Sequence, residues 1–262
     1  MITVRALSAS LGQASILHDI SFSALPGCVT AIAGPSGSGK TTLLKALSGE
    51  IPYRGEITLN GRPLKSLSAR AQATLRGVLP QSSTLAFPFA VSEVVALGLT
   101  AGGTLLRGDH VGLISRALEQ VGLGGFSERS YLELSGGEQQ RVQLARVLCQ
   151  IPEPVVDGQP RWLYLDEPVS SLDIHHQLTI MQLAKDFAQR GGGVIAVMHD
   201  LNLTALFADR LIFMKAGRLV AEGLLAEVMT DRLLQQVFNC GLKVNRVPAN
   251  DVPFVLPHTA SA

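Results

Sequence analysis

The sequence predicts an α/β fold organised around a phosphate-binding loop: a mostly parallel sheet, an antiparallel β part at the N-terminus and a helical insertion. Three observations predict it. The run VTAIA, Val29 to Ala33, is short, apolar and uncharged, stops at Gly34, and leads through a glycine-rich loop into a helical pattern. After residue 160, short apolar strands alternate with helical stretches, as in parallel sheets. Between these, from about residue 85 to 160, the apolar period is helical.

Each element has a local reason. ITVRAL and ILHDISFSAL alternate or cluster apolar residues as strands do. KTTLLKALSG reads as a helix closed by Gly49. GEITLNG is a strand ending in an Asn60-Gly61 turn, and RGVLPQ is another short strand. VSEVVALGL, HVGLISRALEQVGL and GGEQQRVQLARVLCQ carry the helical block, and IPEPVVDGQP is a proline-rich loop. RWLYLDEP returns to a buried strand; DIHHQLTIMQLAKDFAQRG is a helix closed by Gly191. GVIAVMHD is a strand and LNLTALFA a helix. DRLIFMKAGRLVAEG resembles a hairpin turning at Ala216-Gly217, AEVMTDRLLQQVF is helical, and the tail beyond Lys243 carries three prolines and is expected to be loosely ordered. The expected organisation is one domain: residues 1–84 and 161–242 form the β core, 85–160 a helical subdomain and 243–262 a tail.

The 262 residues are 47% hydrophobic and 16% charged, enough apolar material for a sizeable core. No apolar stretch reaches spanning length, and MITVRALSAS lacks the apolar region of a signal peptide, so the expected location is the cytoplasm. Three widely spaced cysteines (Cys28, Cys149, Cys240) suggest neither a disulfide framework nor a zinc site. Formal net charge is +1, with no polybasic run, which speaks against nucleic-acid binding.

The chemistry concentrates in a few stretches. GPSGSGKTT, from Gly34 to Thr42, lets the backbone bend around a phosphate at Gly34, Gly37 and Gly39. After Pro35, which carries no N–H, the N–H groups of Ser36, Ser38 and onward form an anion nest at a helix N-terminus. Lys40 is placed to reach the β- and γ-phosphates and Thr41 to ligate Mg²⁺. WLYLDEP ends an apolar strand with Asp166, suited to hold the Mg²⁺ shell, and Glu167, suited to act on an attacking water. His199 ends VIAVMHD, where it is placed to orient that water; Gln81 ends RGVLPQ, within reach of metal or water. A second cradle stands in LELSGGEQQRV. Ser135, Gly136 and Gly137 open a helix, and Glu138 completes a capping box while amides stay free for an anion. One nucleotide does not need two cradles from one chain.

In this order, GPSGSGKTT, Gln81, LSGGE, WLYLDEP, SSLD (Ser170 to Asp173) and His199 resemble the six motifs of the ATPase subunits of ABC transporters, over nearly the whole chain. The resemblance implies a head-to-tail homodimer in which each LSGGE covers the γ-phosphate of ATP held by the other copy, with ATP and Mg²⁺ as ligands. VLPQSSTLAFPFAVSEVVALG and the loop before Trp162 resemble the iron-chelate, cobalamin and haem importer branch, with haem importers the nearest likeness. Siderophore or cobalamin import stays open, as does a soluble ABC ATPase of iron–sulfur assembly or DNA repair. A phosphate-loop kinase would need neither LSGGE nor SSLD. The importer resemblance implies separate integral-membrane permease subunits, docked near Phe87 and Phe89 at the cytoplasmic face of the inner membrane, and an indirect link to a periplasmic or surface substrate-binding protein. Two departures stand out. Leu11 occupies the place of an adenine-stacking aromatic, a contact worth about 1–3 kcal/mol, so weaker or less base-selective binding is expected. Val169 replaces a common threonine, with little expected consequence.

Overall fold

The computed structural model describes residues 1–82, 85, 87–101, 109–248 and 252–259. In chain order the strands are β1 (Ile2–Leu11), β2 (Ala14–Ala24), β3 (Val29–Ala33), β4 (Arg54–Leu59), β5 (Arg62–Pro63), β6 (Arg76–Leu79), β7 (Val155–Val156), β8 (Gln159–Pro160), β9 (Trp162–Asp166), β10 (Gly193–Val197), β11 (Arg210–Lys215) and β12 (Arg218–Leu224). The helices are α1 (Lys40–Leu47), α2 (Ala69–Leu75), α3 (Val91–Ala101), α4 (His110–Gln120), α5 (Gly136–Gln150), α6 (Ile174–Gln189), α7 (Leu201–Phe207), α8 (Leu225–Val228) and α9 (Asp231–Phe238).

The central sheet runs β12-β11-β3-β10-β9-β6. Every pairing from β11 to β6 is parallel; β12 joins antiparallel through the turn at Ala216-Gly217, where both residues have positive φ. A parallel sheet must be covered on both faces, so its strands read as unbroken apolar runs. The side chains nonetheless alternate between two cores. Trp162, Tyr164, Ile195, Val197, Ile32, Ile212 and Met214 pack on one face with α1 and the antiparallel sheet β2-β1-β4-β5. Leu163, Leu165, Val194, Ala196, Ala31, Leu211 and Phe213 pack on the other, with α3, α5 and α6. Trp162 is fully buried and its indole N–H donates to Asn60 Oδ1 at 3.0 Å. The predicted Asn60-Gly61 turn therefore also satisfies the one polar atom of the largest core side chain.

α3, α4 and α5 fall between β6 and β7, as the helical period predicts. Four details differ from the sequence reading. IPEPVVDGQP is not wholly loop: β7 and β8 pair around Asp157-Gly158, both at positive φ. AEVMTDRLLQQVF is two helices, split where Thr230 caps α9 by accepting from the Leu233 amide. α2 was not anticipated; none of its residues is fully buried, and Ala71 and Leu75 pack half-buried against the core. In STLAFPFAV, Phe87 is 69% exposed while Phe89 packs on the core; Ser83, Thr84 and Ala86 lie outside the described residues. In the tail, residues 249–251 and 260–262 also lie outside them. Among the described residues, no helix is long and apolar enough to cross a membrane.

Candidate functional site

Parallel pairing fixes the site by register. Ile32, Val197 and Asp166 stand side by side across β3, β10 and β9, and Leu165 pairs with Leu79 of β6. One or two residues further along, Gly34, His199, Glu167 and Gln81 emerge together at the C-terminal edge of the sheet, where α/β sheets bind ligands. The cleft there, about 760 Å³, is lined by Ile16, Ser36, Gly37, Gly39, Lys40, Thr41, Thr42, Gln81, Glu167, Ser170 and His199.

The loop from Gly34 to Gly39 is shaped for close approach. A Cβ on Gly34 would lie 2.1 Å from the Met214 carbonyl oxygen, so only glycine fits between β3 and β11 there. Helices α2, α4, α5, α6, α7 and α9 are each capped by a side chain: Ser68, Asp109, Ser135, Asp173, Asp200 and Thr230. α1 differs. Gly39 (φ +97°) stands at its N-cap, supplies no side-chain acceptor, and the first turn holds no acidic residue. Its first amides face the cleft uncapped, as an anion site requires. Lys40 Nζ donates to the carbonyls of Gly34 (2.9 Å) and Pro35 (3.0 Å), which folds the ammonium back under the loop. Burial lowers its pKa, opposed by the carboxylates of Glu167 and Asp166.

Thr41 Oγ1 donates to Asp166 Oδ1 at 3.1 Å. Asp166 is 3% exposed; burial raises its pKa, with Glu167 adding to the rise and the Thr41 hydroxyl opposing it. A buried carboxylate of this kind is stabilised by a cation. Glu167 lies in the left-handed region (φ +51°), an uncommon backbone state for a residue with a side chain. Its amide donates to the Val197 carbonyl (3.2 Å). Its carboxylate takes Gln81 Nε2 on one oxygen (3.0 Å) and pairs with His199 Nε2 on the other (2.5 Å). The structure thus brings Glu167, Gln81 and His199 into one hydrogen-bonded set, and Thr41 and Asp166 into another beside Lys40. Gln81 is held to Glu167 rather than to the Thr41–Asp166 pair.

Ser135, Gly136, Gly137 and Glu138 do not line this cleft. They open α5 with a complete capping box. The Ser135 amide donates to Glu138 Oε2 (2.8 Å) and the Glu138 amide to Ser135 Oγ (3.4 Å). The Ser135 hydroxyl and amide hold the Glu138 carboxyl below its usual pKa. Gly136 and Gly137 occupy the first two helical positions, whose amides have no acceptor within the helix. Sequence reading missed two neighbours and quoted a third, Ser170, only as part of SSLD. Ile16, not Leu11, is the aliphatic wall of the cleft; Ser170 lines it; and Gln140, inside α5, donates to the Glu167 carbonyl at 3.1 Å. Val169 is buried in the core, where a threonine's hydroxyl would need a partner.

Fold and cleft define a phosphate-loop nucleotide-binding domain, with the N-terminus of α5 outside the cleft. The sequence profile described as ABC transporter matches residues 17–170. The hemin import ATP-binding protein of Rhizobium etli is 58% identical over 260 residues, covering 99% of this chain and 98% of the relative. That of Rhizobium meliloti is 57% identical over 262 residues and the full length of both. Among solved structures, an ATP-binding subunit of an ABC transporter superposes with a TM-score of 0.77 at 22% identity, covering 91% and 93% of the two chains. An ATP-binding cassette in its ADP conformation gives 0.75 at 21% identity over 91% and 97%. The chain belongs to the ABC transporter ATP-binding family, and it is an ATP-binding, ATP-hydrolysing subunit of that class.

Proposed function

We propose that this chain is the ATPase of a haem importer: a homodimer that clamps two ATP molecules and drives a separate membrane permease from its cytoplasmic face. The observation that carries the dimer is the split site. Lys40, Thr41, Glu167 and His199 share one cleft, whereas Gly136 and Gly137, whose amides have no acceptor within α5, do not line it. An isologous two-fold contact would bring each α5 N-terminus over the partner's cleft and complete two sites at once. Haem as cargo is supported by relatives at 56–58% identity over nearly the full chain, all named for hemin import. Haem itself needs no contact with this subunit.

The residues present fit Mg²⁺. Among the described residues no group of three His, Cys, Asp or Glu side chains could hold a metal alone. Thr41 and buried Asp166 stand 3.1 Å apart and would share a cation with phosphate oxygens, the usual arrangement for this ion. When bound, Mg²⁺ neutralises charge that develops on the β- and γ-phosphates. The chain does the rest. The α1 amides and Lys40 seat the phosphates. Glu167 takes the proton of the attacking water. His199 and Gln81 hold its carboxylate in line. ATP favours the closed dimer because the γ-phosphate contacts both copies, and its loss on hydrolysis releases them.

Vesicles holding this chain and its co-purifying permease are expected to take up haem in an ATP-dependent manner. Uptake of a ferric siderophore or cobalamin instead, with haem excluded, would overturn the cargo. Permease docking is assigned to Phe87, large, apolar and exposed, six residues after Gln81. Phe89 supports it edge-on, with ring centroids 6.3 Å apart. Phe87→Ala should weaken permease binding by about 2 kcal/mol, roughly thirtyfold, with ATP binding unchanged. Phe89→Ala should instead lower the melting temperature, since that ring packs on the core. Unchanged co-purification of the Phe87 variant would remove the docking assignment.

A further inference from the structure

The geometry points to Gln140 as a positioning residue that ties each anion-receiving helix end to the hydrolytic glutamate of its own chain. This rests on the reading of Glu167 as the residue that activates water. Gln140 is the fifth residue of α5, one turn beyond Gly136. It is no part of any phosphate cradle, and it does not line the cleft. Its side chain nonetheless leaves α5 and donates from Nε2 to the Glu167 carbonyl at 3.1 Å. Its Oε1 is buried without a partner, so among the described residues this amide has one polar anchor, the Glu167 carbonyl.

That carbonyl is a crowded acceptor. The Ser170 amide (3.3 Å) and hydroxyl (3.2 Å) also donate to it. Three donors on one peptide oxygen hold a residue whose φ of +51° the chain would not otherwise prefer. A change in that peptide's orientation swings the carboxylate, which now meets Gln81 and His199 at 3.0 and 2.5 Å. Two of the donors come from the segment following Glu167. The third comes from α5, which also packs Gly137 against Ser171 and Leu172 of that segment: a Cβ on Gly137 would meet the Ser171 oxygen at 3.1 Å. In the two-fold dimer, α5 then has its first amides on one ATP and its fifth side chain on the peptide of the glutamate serving the other. Docking of the partner's γ-phosphate at Gly136 and Gly137 is transmitted one helical turn to Glu167.

The test uses Gln140→Met, which keeps length and bulk but donates nothing, beside Gln140→Ala and Glu167→Gln in the full chain. Turnover is counted per ATP-binding molecule, so misfolded protein does not enter. Expected for both Gln140 variants is a fall in kcat of roughly ten- to hundredfold, the cost of a reacting group displaced by about an ångström. KM for ATP and ATP-driven dimerisation should stay unchanged. A purely structural side chain would lower the melting temperature and leave kcat per binding molecule intact; wild-type kcat in Gln140→Met overturns the inference. If Glu167→Gln abolishes turnover while Gln140→Met does not, the inference fails and the reading of the site stands. If Glu167→Gln itself turns over normally, the reading of the site fails.

Discussion

Glu167→Gln is expected to bind ATP at least as tightly as the wild type, to hydrolyse it about 10²- to 10⁴-fold more slowly, and to accumulate as an ATP-bound dimer. The substitution keeps side-chain length and the demands on the backbone, so the left-handed peptide and its three donors are undisturbed. It removes the only atoms in the Glu167–Gln81–His199 set that can accept a proton from water and pass on as a neutral acid. Binding should not suffer, because the phosphate seat is made by the α1 amides and Lys40, none of which bonds to Glu167. It should improve slightly. A carboxylate that lines the same cleft as the phosphates repels them, and the amide does not. Lys40 also loses one of the two carboxylates that favour its charged form; the other, Asp166, remains. With hydrolysis blocked, the bridging γ-phosphate persists and the closed dimer with it. Single-turnover kinetics and size exclusion with Mg²⁺–ATP check this together. Turnover near the wild-type rate would take Glu167 out of its role.

How much of this was legible in the sequence follows from how local each feature is. The strands of the central sheet were readable because both faces are buried and their runs are mostly apolar: VTAIA matches its strand to the residue, while RWLYLDEP and GVIAVMHD contain the observed Trp162–Asp166 and Gly193–Val197 and overrun them by one to three residues at an end. The site residues were readable because a parallel sheet gathers its strand ends. Asp166, His199 and Gln81 each close an apolar run, and register does the rest. α2 was not readable because none of its residues is fully buried and its core contact rests on the half-buried Ala71 and Leu75, too short a stripe to mark a helical period. The break between α8 and α9 was readable in principle, since Thr230-Asp231 is a good start signal, but the apolar period runs through it. Leu11 stood for the base-facing wall because position along β1 says where a residue sits and not which strand faces the cleft; Ile16 of β2 does. Gln140 is the plainest case. Its type and spacing match any polar residue on a solvated helix face. Only the packing of α5 beside the Glu167 turn, some 27 residues later in the chain, turns it toward that carbonyl.

Mixing two inactive variants tests the split site most sharply. In the first, Lys40→Ala, the phosphate seat loses its ammonium and the ties to the Gly34 and Pro35 carbonyls. In the second, Gly136→Asp, a carboxylate is set at the first position of α5. Gly136 has ordinary backbone geometry, and a Cβ there meets no atom within 4 Å. An aspartate in the first turn also suits the helix dipole, so the fold should be untouched or slightly steadied. The cost falls on function alone: the new charge repels the γ-phosphate that the Gly136 and Gly137 amides would receive. Each variant should therefore be inactive by itself while melting near the wild type. In a heterodimer, the Gly136→Asp chain contributes an intact cleft and the Lys40→Ala chain an intact α5, so one complete site forms. Random pairing at equal concentrations makes half the dimers mixed, and one of two sites in each is whole, giving up to roughly a quarter of wild-type turnover for independent sites. If each α5 served its own cleft, no chain in the mixture would own a complete site and activity would stay at zero. Recovery on mixing thus discriminates between the two arrangements without any structure of the complex, because it depends only on which chain supplies which half.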